Sequence, residues 1–405
     1  MASSAKIKVV LLASEWSSRQ SGLSSINREL AIQLAKHPGV EVFVFLPKCD
    51  QTERDAAMNN NVTLVQAKPK PGFEEIDSLS FPPDELEIDF VIGCGVKLGR
   101  QALAIRRSHS CKWIQIAHSY TAELVMFKDY SGPISKGEMT HRTEVELCAM
   151  ADLVLAVGPK LADAYRSYLR FSGKAGHVFQ LTPGIFAEFA DISHILHDRR
   201  TIEILAFGPD DAEDFHLHGF DIAANAVAKL HDAKLVFVSA ASMEPEEVAV
   251  RLKECNLPLS RMRVRNFTDN QERLKELFCE VDLVVIPWRT GSFGLAALEA
   301  LSAGLPILVS GYSGFGEALS KVPFGSASVI HSDDPEVWAK AIDRVREKSR
   351  VLRLEESKAL LVGYAEKYNW QEQTRDIVEQ MMAIRKFRQL ILLVSHFFMG
   401  IFSSL

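Results

Sequence analysis

The sequence predicts an α/β protein built twice on one plan, with two domains of parallel β-sheet covered by helices. Three observations carry that expectation. Short apolar runs alternate with segments of helical spacing, as parallel strands joined by crossover helices require. The alternation pauses near Asp191 to Arg200, a polar stretch after the Pro183-Gly184 turn, and then restarts. The chain is 405 residues long, more than one ordinary core accommodates.

The elements follow in order. Lys8–Ala13 is a buried strand, and Ser25–Lys36 is helical by its Ile26, Leu30, Leu34 spacing. Further strands are expected at Val42–Leu46, Val62–Gln66, Phe90–Gly93, Trp113–Ala117 and Leu153–Val157. After the linker come Ile202–Phe207, a helix from Gly219 to Leu230, then Leu235–Ser239, Arg263–Phe267, Leu283–Pro287, Ile307–Ser310 and Ser328–His331. Amphipathic helices Pro335–Glu347 and Leu352–Lys367 precede Tyr368-Asn369-Trp370 and a helix from Gln371 to Ile384. Two facing Rossmann-like domains are the reading these elements support.

Composition narrows the function. A net charge of −6 with no long basic run excludes a nucleic-acid backbone partner. Six cysteines lack a paired CxxC spacing, which suits reduced thiols better than a disulfide frame or a zinc site. The apolar start is too short for a signal peptide and reads as the first strand, so a cytoplasmic protein is expected.

The richest segment runs from Asp282 to Glu317. Strand Leu283–Pro287 enters the turn Thr290-Gly291-Ser292-Phe293-Gly294, a helix starts near Leu295, and strand Ile307–Ser310 follows. A helix N-terminus behind a glycine turn offers unpaired N–H groups and a positive dipole end to an anion. A well-packed crossover needs the same glycines, and Glu299 one turn into the helix favours the functional reading. Phe293-Gly294-Leu295, Leu298-Glu299-Ala300 and Gly304-Leu305-Pro306 stand in the order and spacing of one known signature. The segment resembles the donor-binding signature of glycosyltransferase family 4, retaining enzymes of the GT-B fold. A loose similarity spans Lys6 to Ile384.

The resemblance implies a nucleotide-sugar donor, UDP- or GDP-linked, no metal and no other cofactor, and an acceptor that the chain does not specify. It implies residues 1–190 as an acceptor-side domain, 201–365 as the nucleotide-sugar domain, and 366–384 as a helix crossing back to the first. Its donor-site positions fall on Ser21, Gly22, Gly208, His218, Gly291, Ser292, Phe293, Gly294, Leu295 and Glu299. Ser21-Gly22 stands where the family has a Gly-Gly pair, and a plain turn would need Gly22 equally. His118, closing strand Trp113–Ala117, is the candidate catalytic residue, since active sites assemble at the carboxyl ends of parallel strands. A histidine capping the next loop is the alternative there. Arg265 is expected to face the cleft. Glu299 is expected to hydrogen-bond the donor ribose, or alternatively to stabilise its helix start.

Three departures matter. Pro209 replaces an expected Arg, His218 an expected Lys and Gly291 an expected Glu. The two cations would neutralise the departing diphosphate, and losing one such stabiliser costs about 2.7–4 kcal/mol. Two functions stay open: a retaining glycosyltransferase, or a catalytically eroded module that binds a sugar, nucleotide or protein. The chain ends in a basic cluster, Arg385-Lys386-Phe387-Arg388, and a hydrophobic tail. Residues 390–405 as a helix reach about 24 Å, short of a roughly 30 Å hydrocarbon core. Burial, or weak peripheral contact with a membrane, is expected of residues 385–405 rather than spanning.

Overall fold

The computed structural model describes residues 6–17, 22–118, 133–207, 216–239, 245–266, 271–289 and 293–402. Seven parallel strands form the first sheet: β1 (Ile7–Leu12), β2 (Val40–Leu46), β3 (Val62–Gln66), β4 (Phe90–Cys94), β5 (Lys112–Ala117), β6 (Leu153–Val157) and β7 (Val178–Leu181). Their order is 3-2-1-4-5-6-7, with Val9 of β1 between Val42 and Phe90. Helices α1 (Gly22–Ala35), α2 (Gln51–Met58), α3 (Gly95–Ser108), α4 (Pro133–Met150) and α5 (Pro159–Tyr168) lie between strands. Strands β1, β4, β5 and β6 are almost wholly buried because central parallel strands are covered on both faces.

The second sheet has six strands in the order 10-9-8-11-12-13. They are β8 (Ile202–Phe207), β9 (Ala233–Ser239), β10 (Met262–Asn266), β11 (Leu283–Ile286), β12 (Ile307–Ser310) and β13 (Val329–Ile330). Between and after them come α6 (Phe220–Ala228), α7 (Pro245–Glu254), α8 (Gln271–Glu280), α9 (Leu295–Ser302), α10 (Gly314–Ser320), α11 (Pro335–Arg346), α12 (Arg350–Lys367) and α13 (Trp370–Phe402). The α11 start is encoded locally, by Asp334 accepting from the Glu336 N–H and Pro335 in the first turn. Strand order reverses between β1 and β4 and again between β8 and β11, which opens a crevice at the carboxyl ends of each sheet. The architecture is two Rossmann-like α/β domains, as the alternation predicts.

Two elements differ from expectation. Strand β7 was not anticipated, because VFQL is short and bears a glutamine; it forms by pairing with β6 at the sheet edge. The last helix does not stop at Ile384 but runs unbroken from Trp370 to Phe402, about 50 Å at 1.5 Å per residue. Its first turns pack on the N-terminal domain through buried Thr374, Ile377, Val378 and Met381, and Thr374 Oγ1 lies 3.1 Å from His37 Nε2. No helix among the described residues is long and apolar enough to cross a membrane.

The domains meet in a packed seam. One apolar cluster runs from β1 through Phe293 and α9 to Trp370. Lys160 Nζ donates to the Tyr312 carbonyl at 3.1 Å, and the Phe186 N–H donates to Ser302 Oγ at 3.0 Å. Behind the second sheet, Asp282 and Arg350 form an ion pair with both side chains 1% exposed. Asp282 also accepts from the Glu203 N–H at 2.9 Å, so the pair fixes the start of β8.

Candidate active site

His118 follows β5 directly, as the carboxyl-end argument requires. Its imidazole rests on the first turn of α3: a Cβ built on Gly95 would lie 2.8 Å from His118 Nε2. Gln115, fully buried on the same strand, donates from Nε2 to the Gly95 carbonyl at 2.7 Å and steadies that turn. Burial pushes the His118 pKa down to about 4, against a smaller upward pull from a hydrogen bond with its own backbone. The ring is therefore neutral at pH 7. It can donate or accept a hydrogen bond but supplies no charge.

Glu299 is on the second turn of α9. Its Oε1 accepts from Ser25 Oγ of α1 at 3.3 Å, across the domain seam. Burial raises its pKa to about 7, and Glu188 pushes the same way, while the Ser25 hydrogen bond and Arg28 oppose. Arg28 is itself ion-paired with Glu188. The neighbouring Ser24 Oγ donates to Glu15 Oε1 at 2.8 Å, so the first turn of α1 faces two carboxylates. Glu15 and Ser25 escaped the sequence reading, because no local pattern marks a contact between a loop, α1 and α9.

The glycine turn divides into parts with different jobs. Gly294 precedes α9 with φ +91°, a left-handed conformation, and a Cβ there would meet little, so backbone geometry explains the glycine. Leu295 opens the helix and is partly buried against the main apolar cluster. Phe293, expected at the donor, is instead 3% exposed and wedged between the domains. A Cβ on Gly158, at the end of β6, would lie 2.6 Å from its ring. Its side chain is a packing element because apolar surface in the closed seam outweighs contact with a polar cleft. Gly22 is the first residue of α1. Ser21, Gly208, Pro209, Gly291 and Ser292 lie outside the described residues.

His218 sits just before α6 and packs on Trp288, ring centroids 4.8 Å apart, and on Phe220 at 5.8 Å. Beside it, Arg289 donates to both carboxylate oxygens of Asp221, at 2.7 and 2.8 Å. Burial opposes ionisation of Asp221, yet the Arg289 hydrogen bonds outweigh it and hold the carboxyl below its usual value. The Arg289 charge at the end of β11 is thus matched by an acid. Nothing in the family signature signals this pair.

Arg265 is not brought to this group. It lies on edge strand β10, three strands or about 14 Å from β11, and is ion-paired with Glu280 at the end of α8. No cluster of three or more His, Cys, Asp or Glu side chains among the described residues is placed to hold a metal ion.

Comparison with known proteins fits this geometry. The sequence model of one family, "GT4-conflict: Family 4 Glycosyltransferase in conflict systems", matches residues 10–377. A curated relative, the D-inositol 3-phosphate glycosyltransferase of Rhodococcus erythropolis, is 30% identical over 108 residues, 27% of this chain and 24% of the relative. The chain thus matches only about a quarter of that relative's length. Among solved structures, the sucrose-phosphate synthase of Thermosynechococcus elongatus superposes with a TM-score of 0.70 at 17% identity, over 96% of this chain and 100% of that one. Anabaena HepE, solved in complex with UDP-glucose, gives 0.66 at 14% identity, over 93% and 100%. At such identities these structures establish the GT-B fold alone.

Proposed function

The chain belongs to the family 4 glycosyltransferases of conflict systems, and from that premise we propose that it transfers a sugar, with retention, from a nucleotide-sugar donor held between its two domains. The observation that carries this reading is the Glu299–Ser25 contact. It puts a half-buried carboxylate at the N-terminal part of α9, facing the first turn of α1 from the other domain. A donor whose ribose hydroxyls donate to Glu299 would take the place of the Ser25 hydroxyl, while neutral His118 hydrogen-bonds the sugar. Both helix starts would face the diphosphate. UDP- and GDP-sugars fit this chemistry alike, and no metal is required by it. The hydrophobic tail, behind its basic flank, would add weak contact with a membrane surface.

Turnover in this reading is slow. His218 stands where a lysine would neutralise the leaving group, and its ring is packed against Trp288. Arg289 is held by Asp221. These observations favour, as a second reading, a module that binds the donor and has lost most of its catalysis. The experiment is donor hydrolysis by wild type beside the triple variant Pro209→Arg, His218→Lys, Gly291→Glu. Restored charge should raise the rate at least tenfold, given about 2.7–4 kcal/mol per stabiliser and incomplete additivity. Fast turnover by the wild type that the triple variant loses would mean that the chain has built a working site of its own.

A further inference from the structure

Three contacts close the domain seam in a ring beside Glu299. On α1, Ser25 and Arg28 stand three residues apart and so share one helical face. Ser25 Oγ donates to Glu299 Oε1 of α9 at 3.3 Å, and Arg28 is ion-paired with Glu188. Glu188 belongs to the short 3₁₀ turn Ala187–Phe189, on the segment that joins the two sheets. That segment is docked on α9, because the Phe186 N–H donates to Ser302 Oγ at 3.0 Å and Ser302 lies three residues beyond Glu299 on the helix. Helix α1, the connecting turn and α9 therefore each hold the other two. The Arg28 side chain is 12% exposed and that of Glu188 23%, so solvent and salt screen these charges less than they would on an open surface.

The charges in this ring do not balance. Two carboxylates, Glu188 and Glu299, lie near one guanidinium, and Glu188 holds it. Burial is the main force against ionisation of Glu299; Glu188 adds to it, while the Ser25 hydrogen bond and the Arg28 charge oppose. Glu29, the next residue of α1, is raised mainly by burial and also by Glu188, against its Gln33 hydrogen bond and the charges of Lys36 and Arg28. Adjacent helix residues do not share a face, and Glu29 accepts from Gln33 Nε2 at 2.6 Å, so it stays outside the ion pair. Resting on the donor reading above, we propose that Glu188 and Arg28 are positioning residues of the donor site: Glu188 keeps the guanidinium from Glu299 and so sets how far that carboxylate is charged to accept the donor's hydroxyls. Hydroxyls donated to a carboxylate favour its ionised form, so donor affinity rises with pH in the wild type. A shift of the connecting turn that passes Arg28 from Glu188 to Glu299 removes that dependence, which ties affinity to the set of the two domains.

The test has a donor-free arm and a donor arm. In the first, urea unfolding of the full chain is followed from about pH 4 to 9 for wild type, Glu188→Gln, Arg28→Gln and Arg28→Lys, each beside the same protein carrying Glu299→Gln, so that only the part due to Glu299 remains. In wild type that part is lost as pH rises toward about 7. Glu188→Gln removes a repelling charge and releases Arg28, so the upper end of the window should fall by about one pH unit. Arg28→Gln should lift it by about as much, and Arg28→Lys, which keeps the charge, should stay near wild type. In the second arm, calorimetry with UDP-glucose and GDP-mannose should show Glu188→Gln binding about fivefold tighter than wild type at about pH 6 and within about twofold at pH 8, because the lowered midpoint changes the ionised fraction mainly on the acid side. Melting curves check the fold of each variant, and the opposite shifts of the two charge removals are not what a general loss of packing produces. A window that these variants leave in place, or move in the same direction, overturns the proposal, and so does a change in affinity that is the same at every pH. Failure of both sugars to bind wild type ends the donor reading and this proposal with it. Binding by wild type with an unmoved window ends this proposal alone.

Discussion

Replacing Glu299 with glutamine should flatten part of the pH dependence of stability. The Glu299 pKa is raised from 4.5 to about 7. That shift corresponds to about 3 kcal/mol against the ionised form, and because the residue is only half-buried, solvent reduces it to about 1–2 kcal/mol. The sign follows from linkage. A folded-state pKa above the unfolded one contributes stability that is complete below pH 4.5 and is lost as pH rises through about 7. Urea unfolding of wild type should therefore weaken across that window by an amount the glutamine variant lacks. At pH 8 the variant should be the more stable by about 1–2 kcal/mol, and near pH 4.5 the two should agree within the loss of one hydrogen bond. A difference between the curves that stays constant from pH 4 to 8 would refute the reasoning, since it would mean that Glu299 titrates alike in both states.

Other consequences are more local. Asp282→Ala leaves Arg350 buried without its partner and should cost about 3–5 kcal/mol in chemical denaturation. His118, with a pKa near 4 against an ordinary 6.5, should stay neutral in an NMR titration down to about pH 5; its share of stability is present above 6.5 and lost as pH falls toward 4. A midpoint at 6 or higher would contradict the burial argument. Truncation after Ile384 should leave the melting temperature within a few degrees, because the buried anchors Thr374, Ile377, Val378 and Met381 remain, while liposome flotation falls. A large drop in melting temperature would make the tail part of the core.

Much of the fold was legible in the sequence because parallel strands are buried on both faces. Ile307–Ser310 appears with its expected bounds, and Leu153–Val157 likewise. Strand β7 was hidden, since four residues with a central glutamine carry too little pattern without β6 beside them. Gly294 was legible for a backbone reason, a left-handed turn before a helix. Phe293 was not, because its fate depends on Gly158, a residue far away in the chain whose missing side chain makes room for the ring. Glu299 could be singled out from spacing, but its perturbed ionisation comes from burial and, second, from Glu188, against Ser25 and Arg28, surroundings that only folding brings near. Arg265 shows the converse error: a cation at a strand end was read as facing the cleft, whereas its strand lies at the sheet edge and Glu280 takes its charge.

The most direct test of the donor site is calorimetry of wild type and Glu299→Gln with UDP- and GDP-sugars at pH 7, in two buffers of different ionisation enthalpy. Donor hydroxyls that hydrogen-bond the carboxylate favour its charged form, so wild type should bind one of these donors and release a fraction of a proton, approaching one half. The glutamine variant should bind at least tenfold more weakly and release none of that fraction. Failure of every nucleotide sugar to bind, or binding of equal strength and proton release in both proteins, would contradict a donor site built on Glu299.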